Sequence, residues 1–423
     1  MINNLISLAK KENISLEVGS FIEKEYKVEI LNDRLVQSNI SKLTEYTIKA
    51  LLNNKVVTLI TEKINEPEKI IQTIKNNAAL IDNDNTNRLC ENDFEVSSSR
   101  DEKIDISYVK NELFKLTKYY HDKYPFIVNI DAIFDYDSIT KKIDNENHHM
   151  TDKYSICESY FSISGEKNGV VKSESVLIYD KGFDLNRIND ELEKIINKLN
   201  LSFDATSVKT NKYKVLIEND AVNKIINAFI NTFYAKQLDM KTSPFSGKLG
   251  EKIFSDKISI VEEPVNEEFI VNKHFDGEGS LTYNKVVVEN GVFKTALNSL
   301  EYAIKHNTKP TANSNLICNL HIKKGNKSYE ELIAMLDNGI IIDNVEGLHA
   351  GINLNTGDIS LQSTGLLVEN GKIVKALNMI ILQTSIQELL SNVLEVGSDL
   401  KEFTTSTSSV SLLLDDITIS GNL

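Results

Sequence analysis

Runs of β-forming residues interrupted by an asparagine-containing dipeptide recur along this 423-residue chain, and they constrain its fold more than any other feature. Asparagine and glycine tolerate the positive φ angles that a two-residue hairpin turn requires. Four such dipeptides stand between β-rich runs: Asn32-Asp33, Asn53-Asn54, Asn290-Gly291 and Asn370-Gly371. The sequence therefore predicts antiparallel hairpins in both halves of the chain.

Segments with helical periodicity and these hairpins come in groups rather than in strict alternation. In the first half, helices are predicted from Pro67, after Ser107 and after Asp184. In the second half, a long helix is predicted over Asn219–Leu238, and two short helices begin at the capping boxes of Ser328 with Glu331 and of Ser385 with Glu388.

The predicted fold class is α+β with two domains. Residues 1–212 are predicted to form an N-terminal α/β domain of hairpins and helices. Residues 213–423 are predicted to form a mainly antiparallel β domain with inserted helices. Two polar stretches in the first half, Asp82–Arg100 and Asp144–Asp152, are predicted to be exposed loops.

Charge and composition exclude several function classes. The chain carries 61 acidic and 47 basic side chains and a formal charge of −14, which repels nucleic acid and anionic lipid. No apolar run approaches the roughly 18 residues of a membrane span, and residues 1–16 lack the apolar region of a signal peptide. Cys90, Cys157 and Cys318 are too scattered for a disulfide framework. We therefore expect a reduced, cytoplasmic protein with neither nucleic acid nor a membrane as its partner.

The residues alone reveal no self-contained catalytic or metal-binding motif. No histidine is followed by glutamate, which excludes a zinc helix of the H-E-x-x-H type. The neighbouring pair His148-His149 is interpreted as part of a solvated loop. The spacing Asp82-x-Asp84-x-Thr86 imitates a calcium loop, but Asn87 stands where the turn needs glycine. Gly277-Glu278-Gly279 lacks the third glycine of a phosphate-binding turn.

Four stretches of the second half carry longer and more specific motifs. They are Thr242–Glu251 (TSPFSGKLGE), Phe275–Gly279 (FDGEG) with Val288–Lys294 (VENGVFK), Gly351–Ser360 (GINLNTGDIS) with Val368–Gly371 (VENG), and Val396–Leu400 (VGSDL) with Asp416–Gly421 (DITISG). These stretches resemble the TldD/PmbA family, whose members are labelled modulators of DNA gyrase and regarded as metallopeptidases. The resemblance covers most of residues 213–423, and it implies paired subunits that enclose a cavity in which peptides are cut.

The family contains two kinds of subunit. The TldD kind resembles a zinc peptidase, with H-E-x-x-x-H on the helix before the Phe-Ser-Gly stretch and a later cysteine as third ligand. Counted back from Phe245 without gaps, these positions hold Ile226, Asn227 and Asn231, which are unsuited to bind zinc or to act as a base. No cysteine follows Cys318. The chain therefore resembles the PmbA (TldE) kind, and its helix is predicted to serve packing alone.

Three functional hypotheses stay open. The first is a metal-free subunit of a heteromeric zinc metallopeptidase acting on unfolded peptides: a TldD-type partner supplies the zinc, and this chain lines the cavity without a cofactor of its own. The second is a non-enzymatic regulatory protein acting on DNA gyrase or a toxin–antitoxin system. The third is a peptidase that uses His148, His149 or His349 in an unrecognised site. The sequence leaves open whether the chain pairs with itself when alone.

One group of residues is predicted to line the substrate cavity. Gly351, Asn353, Gly357 and Asp358 form a glycine-and-asparagine turn cluster in the most family-like stretch. The alternative interpretation is a turn that needs these residues for its backbone geometry alone.

Overall fold

The computed structural model describes residues 1–82, 88–90, 95–100, 102–314 and 316–422. Described helices of the first half are α1 (Ile2–Lys11), α2 (Pro67–Ala78), α3 (Ile106–Lys123) and α4 (Leu185–Ser202). Its described strands are β1 (Ser15–Leu31), β2 (Arg34–Leu52), β3 (Lys55–Thr61), β4 (Val96–Arg100), β5 (Ile127–Asp144), β6 (His149–Lys167) and β7 (Val170–Asp180). Of the calcium-like spacing, Asp82 is described, whereas Asp84 and Thr86 lie outside the described residues.

The second half contains shorter elements. Its described helices are α5 (Asn219–Phe229), a 3-10 helix (Ile230–Phe233), α6 (Ala235–Asp239), α7 (Leu300–Lys305), α8 (Tyr329–Leu336), α9 (Leu348–Gly351) and α10 (Ile386–Ser391). Its described strands are β8 (Asn211–Ile217), β9 (Ile260–Glu262), β10 (Lys285–Glu289), β11 (Val292–Phe293), β12 (Leu320–Ile322), β13 (Gly339–Glu346), β14 (Asp358–Glu369), β15 (Lys372–Ser385), β16 (Val393–Val396), β17 (Lys401–Glu402), β18 (Ser408–Ser409) and β19 (Leu412–Ser420). Within the described ranges, none of the helices combines the length and apolarity needed to cross a membrane.

The predicted hairpins are confirmed. Asn32 with Asp33 joins β1 to β2, and Asn53 with Asn54 joins β2 to β3. The asparagines take φ angles between 47° and 58°, and Gly291 and Gly371 take 78° and 67°. Local turn chemistry therefore sets the antiparallel register of both halves, and the α+β class is confirmed.

One face of the first-half sheet is covered by helices. The described strands pair in the order β3-β2-β1-β5-β6-β4, and β7 pairs with the remaining length of β6. Alternate side chains such as Val28, Phe134 and Phe161 are buried under α3 and α4. Farther along the sheet, Val18 and Ile48 are buried under α1 and α2. Among the described residues, no helix of the first half covers the opposite face, and side chains of the second half contact it.

The largest sheet of the second half closes on itself. Its strands run in the order β15-β14-β13-β8-β19-β16, and a further pairing between β15 and β19 completes a ring. Closure leaves few unpaired strand edges in this sheet, so few backbone groups are available to pair with the strands of other chains. A smaller sheet, β11-β10-β9-β12, packs into the same apolar core as α5.

The two halves meet through apolar side chains and ion pairs. Ile270 and Val271 of the second half pack against the helix-free face of the first-half sheet, where they contact the cluster of Ile139, Tyr154 and Tyr179. Lys401 of the second half pairs with Glu191 on α4 at 2.7 Å. Strand β8 starts at Asn211 and pairs with β13 and β19 of the second half. The division into two domains at residue 212 stays a prediction.

The prediction of one long helix over Asn219–Leu238 is wrong in the length of the helix. The α-helix ends at Phe229, a 3-10 turn follows, and Tyr234 is extended before α6 begins. Hydrogen bonds from distant segments hold this break: Ala235 N–H donates to the Leu297 carbonyl at 2.8 Å, and the Ser243 hydroxyl donates to the Thr232 carbonyl at 2.7 Å. Tertiary partners therefore override the helical periodicity.

The two polar stretches are only partly loops. Strand β4 lies within the first stretch and pairs parallel with the start of β6. In the second stretch, β5 ends at Asp144 and β6 begins at His149, so only four residues form a turn. The Asn145 side chain accepts N–H groups from Asn147 and His148 at 2.7 and 2.9 Å. The polar residues thus close a hairpin instead of forming a long loop.

We expect Phe245→Ala to destabilise the second half strongly. Phe245 is fully buried, its ring stacks on Phe233 at 5.0 Å between centroids, and it meets Phe254 edge-on at 5.4 Å. Loss of a ring from such a cluster costs about 3–5 kcal/mol. Urea unfolding followed by circular dichroism measures the change, and the exposed Tyr119→Ala serves as the control. Equal unfolding midpoints for the two variants would contradict the packing described.

Candidate functional site

Helix α5 carries the positions at which the resemblance places a zinc motif. Its apolar side chains pack into the main core of the second half, and Ile226 is 3% exposed there. Asn227 is exposed on the same helix, and Asn231 is exposed on the 3-10 turn that follows. The break after Phe229 thus places Asn231 in a different element from Ile226 and Asn227.

These residues do not fit a zinc ion. Ile226 has no lone pair and is surrounded by apolar side chains, and amide side chains are poor zinc ligands. Cys90, Cys157 and Cys318 are buried in other parts of the fold. In the part of the chain that the structure describes, no three His, Cys, Asp or Glu side chains are grouped to hold a metal. Ile226, Asn227 and Asn231 therefore do not fit the ligand set that the resemblance places at these positions.

The first turn of α5 is anchored by the Val396–Leu400 stretch. The Asp399 carboxylate accepts the Ser411 hydroxyl at 2.6 Å, and the Asn219 side chain donates to the Asp399 carbonyl at 3.0 Å. Beside this anchor lies a cavity of about 560 Å³, bounded by the charged side chains of Arg187, Glu191 and Lys401 from both halves. Three of these lining charges already have partners within the chain, since Arg187 pairs with Asp180 and Lys401 pairs with Glu191.

The four residues predicted to line a substrate cavity lie together in one turn between α9 and β14. Asn353 N–H donates to the Asp358 carbonyl at 2.9 Å, and Gly357 N–H donates to the Asn353 carbonyl at 2.8 Å. The Asn353 side chain accepts the N–H of Asn355 at 3.0 Å. Gly351 allows close contact with β14, because a Cβ there would lie 2.3 Å from the Ser360 carbonyl oxygen.

This turn encloses a surface depression of about 580 Å³. Gly351, Asn353 and Asp358 line the depression, whereas Gly357 does not. Gly357 has a φ of 91°, and a Cβ there would meet the Gln387 side chain at 2.2 Å. The backbone interpretation therefore accounts for Gly351 and Gly357, while Asp358 presents an exposed carboxylate. The role of the four residues as a substrate cavity stays a prediction.

The three histidines of the third hypothesis lie in two separate places. His148 is buried in the β5–β6 turn, where its ring contacts the Asn145 amide nitrogen at 3.0 Å, and His149 pairs with Asp144 at 2.7 Å. His349 is exposed on α9 in the second half. The structure thus gives His148 and His149 contacts within their own hairpin.

The Phe275–Gly279 stretch begins a loop that docks on the first half. We call residues 275–281 the docking loop; Phe275 packs against Ile143 and Met150, and the Lys49 ammonium donates to the Gly277 carbonyl at 2.6 Å. Asp276 holds the loop together, because its carboxylate accepts N–H groups from Glu278, Ser280 and Ser314 at 2.9–3.0 Å. This motif therefore binds backbone N–H groups of the chain itself.

Glu17 lies beneath the docking loop on the helix-free face of β1. It is 3% exposed, and its Oε2 has no hydrogen-bond partner among the described residues. Burial raises the pKa of Glu17 to about 7; Lys49 lowers it, and the nearby carboxylates of Asp276 and Glu278 raise it further. Burial also raises the pKa of Asp276 to about 6, in opposition to its backbone hydrogen bonds. Neutral pH therefore lies close to the titration of this contact.

Another charge pair is buried inside the second half. Glu262 is fully buried and pairs with Lys285 at 2.8 Å, and it also accepts from the Asn313 amide and from Cys318 N–H. Sequence reasoning missed this pair and Glu17. Glu17 alternates with Leu16 and Val18, and Glu262 is followed by Glu263, so both have the pattern of solvent-facing side chains and no local signal marked either one.

Comparison with protein families and curated proteins gives a consistent result. The model of the PmbA/TldA metallopeptidase C-terminal domain matches residues 210–421. The chain is 28% identical over 293 residues to a metalloprotease PmbA homolog of Haemophilus influenzae, covering 66% of this chain and 62% of that protein. It is 32% identical over 171 residues to a metalloprotease of Methanothermobacter thermautotrophicus, covering 38% of this chain and 37% of that protein. The chain thus spans less than two thirds of the length of these curated relatives.

Comparison with solved structures covers nearly the whole chain. A Thermotoga maritima protein described as a modulator of a DNA gyrase superposes with a TM-score of 0.86 at 25% identity, covering 99% of both chains. TldE from Thermococcus kodakarensis superposes with a TM-score of 0.84 at 20% identity, covering 99% of this chain and 100% of that one. The second likeness concerns the fold alone.

We expect Glu17→Gln to stabilise the protein at alkaline pH. The pKa of Glu17 is raised from 4.5 to about 7 in the folded chain, so the folded chain binds this proton more tightly than the unfolded chain does. The free energy of unfolding therefore falls as the pH rises from 4.5 to about 7 and the proton is released. The amide removes this penalty, which is at most roughly 3 kcal/mol. Thermal unfolding at pH 8 and at pH 4 measures it: the variant should gain at pH 8 and gain little at pH 4. The exposed Glu62→Gln is the control, and a pH-independent difference would contradict the assignment.

Proposed function

Because the chain belongs to the PmbA/TldD metallopeptidase family, we propose that it is the metal-free subunit of a heteromeric zinc peptidase that cuts unfolded peptides. A TldD-type partner supplies the zinc ion and the base that activates water. This chain contributes a rigid wall to the cavity and needs no cofactor of its own. The observation that carries the proposal is the burial of Ile226 in the apolar core at a ligand position of the catalytic kind.

The rest of the family architecture supports a role beside a catalytic subunit. Three features of this chain are contacts between its own residues. They are the docking loop, the anchor of α5 at Asp399 and the aromatic cluster around Phe245. They hold the two halves and the ring-closed sheet in a fixed arrangement. A fixed wall orients a flexible peptide toward a partner's reactive group, which lowers the entropy that the reaction must overcome.

We assign the depression formed by Gly351, Asn353 and Asp358 to the peptide-facing wall. It measures about 580 Å³, enough for a few side chains of an extended peptide. Asp358 supplies an exposed negative charge, and Leu354, 38% exposed, supplies an apolar contact. We place the assembly in the cytoplasm, where buried free thiols such as those of this chain stay reduced.

The proposal is tested by reconstitution. A purified TldD-type subunit from the same source is assayed on an unfolded peptide with and without this chain. We expect hydrolysis in the mixture, little from either subunit alone, and loss of activity on addition of a chelator. Metal analysis should find stoichiometric zinc in the partner and none in this chain.

Two outcomes would overturn the proposal. Stoichiometric zinc in this chain would show a ligand set that α5 does not provide. A rate unchanged by this chain would leave it outside the peptidase. The second outcome would favour the alternative of a regulatory protein, for which the description of the Thermotoga maritima protein names DNA gyrase. Capture of purified gyrase by this chain at physiological salt would then distinguish the regulatory protein from the peptidase subunit.

We expect Asp358→Asn to weaken the binding of cationic peptides to the assembled heteromer. The amide keeps the shape of the side chain and removes its charge, and an exposed ion pair contributes about 0.2–1 kcal/mol. The predicted rise in KM is therefore about 1.4- to five-fold for a lysine-containing peptide, with no change for a neutral one. Asp190→Asn, on the exposed side of α4, is the matched control. An equal effect on both peptides would exclude a charge contact at Asp358.

A further inference from the structure

Two lysine side chains meet where the second half docks on the helix-free face of the first-half sheet. Lys141 lies on that face of β5, directly opposite Phe21 on β1 and Asp152 on β6. Lys273 belongs to the segment that covers the face, since the next residue, His274, donates its backbone N–H to Asp152 at 2.8 Å. Lys273 lies close enough to lower the pKa of Lys141. The two ammonium groups therefore belong to one site between the halves.

Neither ammonium group has a carboxylate partner among the described residues. Lys273 is 6% exposed, and its Nζ donates to the Thr405 hydroxyl at 3.1 Å. The Nζ of Lys141 lies 5.7 Å from the centroid of the Phe21 ring, and within the described part of the chain it forms neither a hydrogen bond nor an ion pair. Buried charges are normally paired, because removal from water is costly for an unpaired ion. This site therefore has an excess of positive charge.

Two acids act on these lysines, and both are engaged with other groups. Asp152 is 2% exposed, and its two oxygens contact the backbone N–H and the ring Nδ1 of His274 at 2.8 and 2.7 Å. Glu262 is fully buried and pairs with Lys285 at 2.8 Å. Each acid raises the pKa of Lys273, but neither comes within ion-pair distance of it. The excess positive charge thus lacks a neutralising group of its own.

Burial acts against the charged form of both lysines. It lowers the pKa of Lys141 to about 8 and also lowers the pKa of Lys273. The Cys318 thiol lies near both ammonium groups, but burial raises its pKa to about 12 and keeps it uncharged at neutral pH. An anion placed between the lysines would offset the cost of burying their charges.

We propose that Lys141 and Lys273 bind the carboxylate group of a small ligand between the two halves. Two ammonium groups can each donate to one of the two carboxylate oxygens. The nearby charge of Asp152 opposes a doubly charged oxyanion such as phosphate, whereas a single negative charge offsets the excess positive charge. Lys141 is partly exposed, so the ligand can enter from solvent on its side. The bound carboxylate reduces the repulsion between the lysines and stabilises the docking of the halves.

The first test is thermal unfolding of the full chain at pH 7, in sodium acetate and in sodium chloride of equal ionic strength. We expect saturating acetate to raise the unfolding midpoint by about 2–3 °C relative to chloride, since it binds the folded chain. Lys141→Met keeps the length of the side chain without its charge and should abolish this rise. Lys142→Met, on the opposite face of β5, should retain it. Circular dichroism checks that both variants are folded.

Three outcomes of this test would overturn the proposal. The first is a wild-type midpoint that is equal in acetate and chloride. The second is an acetate-dependent rise in Lys141→Met as large as in the wild type, which would place the bound acetate elsewhere. The third is a larger rise in inorganic phosphate of the same ionic strength, which would exclude a carboxylate as the preferred ligand.

The second test uses the wild-type chain and locates the bound acetate. Formaldehyde with a borane reductant methylates uncharged amines at pH 8, and mass spectrometry measures the rate at each lysine. At about ten times the Kd for acetate, the rate at Lys141 should fall about ten-fold, whereas the rate at Lys142 should not change. Equal rates at Lys141 in acetate and in chloride would overturn the assignment. Neither test involves hydrolysis, so their failure leaves the proposed peptidase role untouched.

Discussion

Burial of the apolar face of α5 is the interaction on which the second half depends. The helix packs against β13 and β18, and its side chains join the same core as the ring-closed sheet. A zinc ligand must direct a lone pair toward space that the ion can occupy. The Ile226 side chain has no lone pair, and other apolar side chains pack closely around it. The packing that stabilises this domain and the lack of a metal ligand at Ile226 are therefore one and the same feature.

The four family-like stretches share a structural purpose. Phe245 fills the aromatic cluster beyond the end of α5, and Asp399 holds the beginning of that helix. The docking loop joins the halves, and the turn at Asn353 sets the start of β14. These contacts stabilise the fold without using the side chains at Ile226, Asn227 and Asn231, so a chain can keep the motifs while those positions change. This explains how the family-like stretches coexist with side chains at Ile226, Asn227 and Asn231 that are unsuited to bind zinc.

Features set by neighbouring residues could be predicted from the sequence, and features set by distant ones could not. The asparagine turns and the caps at Ser328 and Ser385 depend on residues two or three positions apart, and they formed as predicted. The break after Phe229 depends on Leu297, which no local pattern connects to it. The turn from Gly351 to Asp358 was predictable as a cluster because it is contiguous. Buried Glu17 was not, because its burial comes from a loop some 260 positions away.

Asn290-Gly291 and Asn370-Gly371, two of the four Asn-Gly pairs of the sequence, also govern how this chain ages chemically. Deamidation at such a pair requires the glycine nitrogen to attack the asparagine side chain. Here the Gly291 N–H donates to the Ile258 carbonyl at 2.7 Å, and the Gly371 N–H donates to the Asp337 carbonyl at 2.8 Å. The folded chain thus holds both nitrogens away from the reaction, and an unfolded one releases them. Conversion to aspartate at Asn290 or Asn370 would accordingly record how long a molecule has spent unfolded.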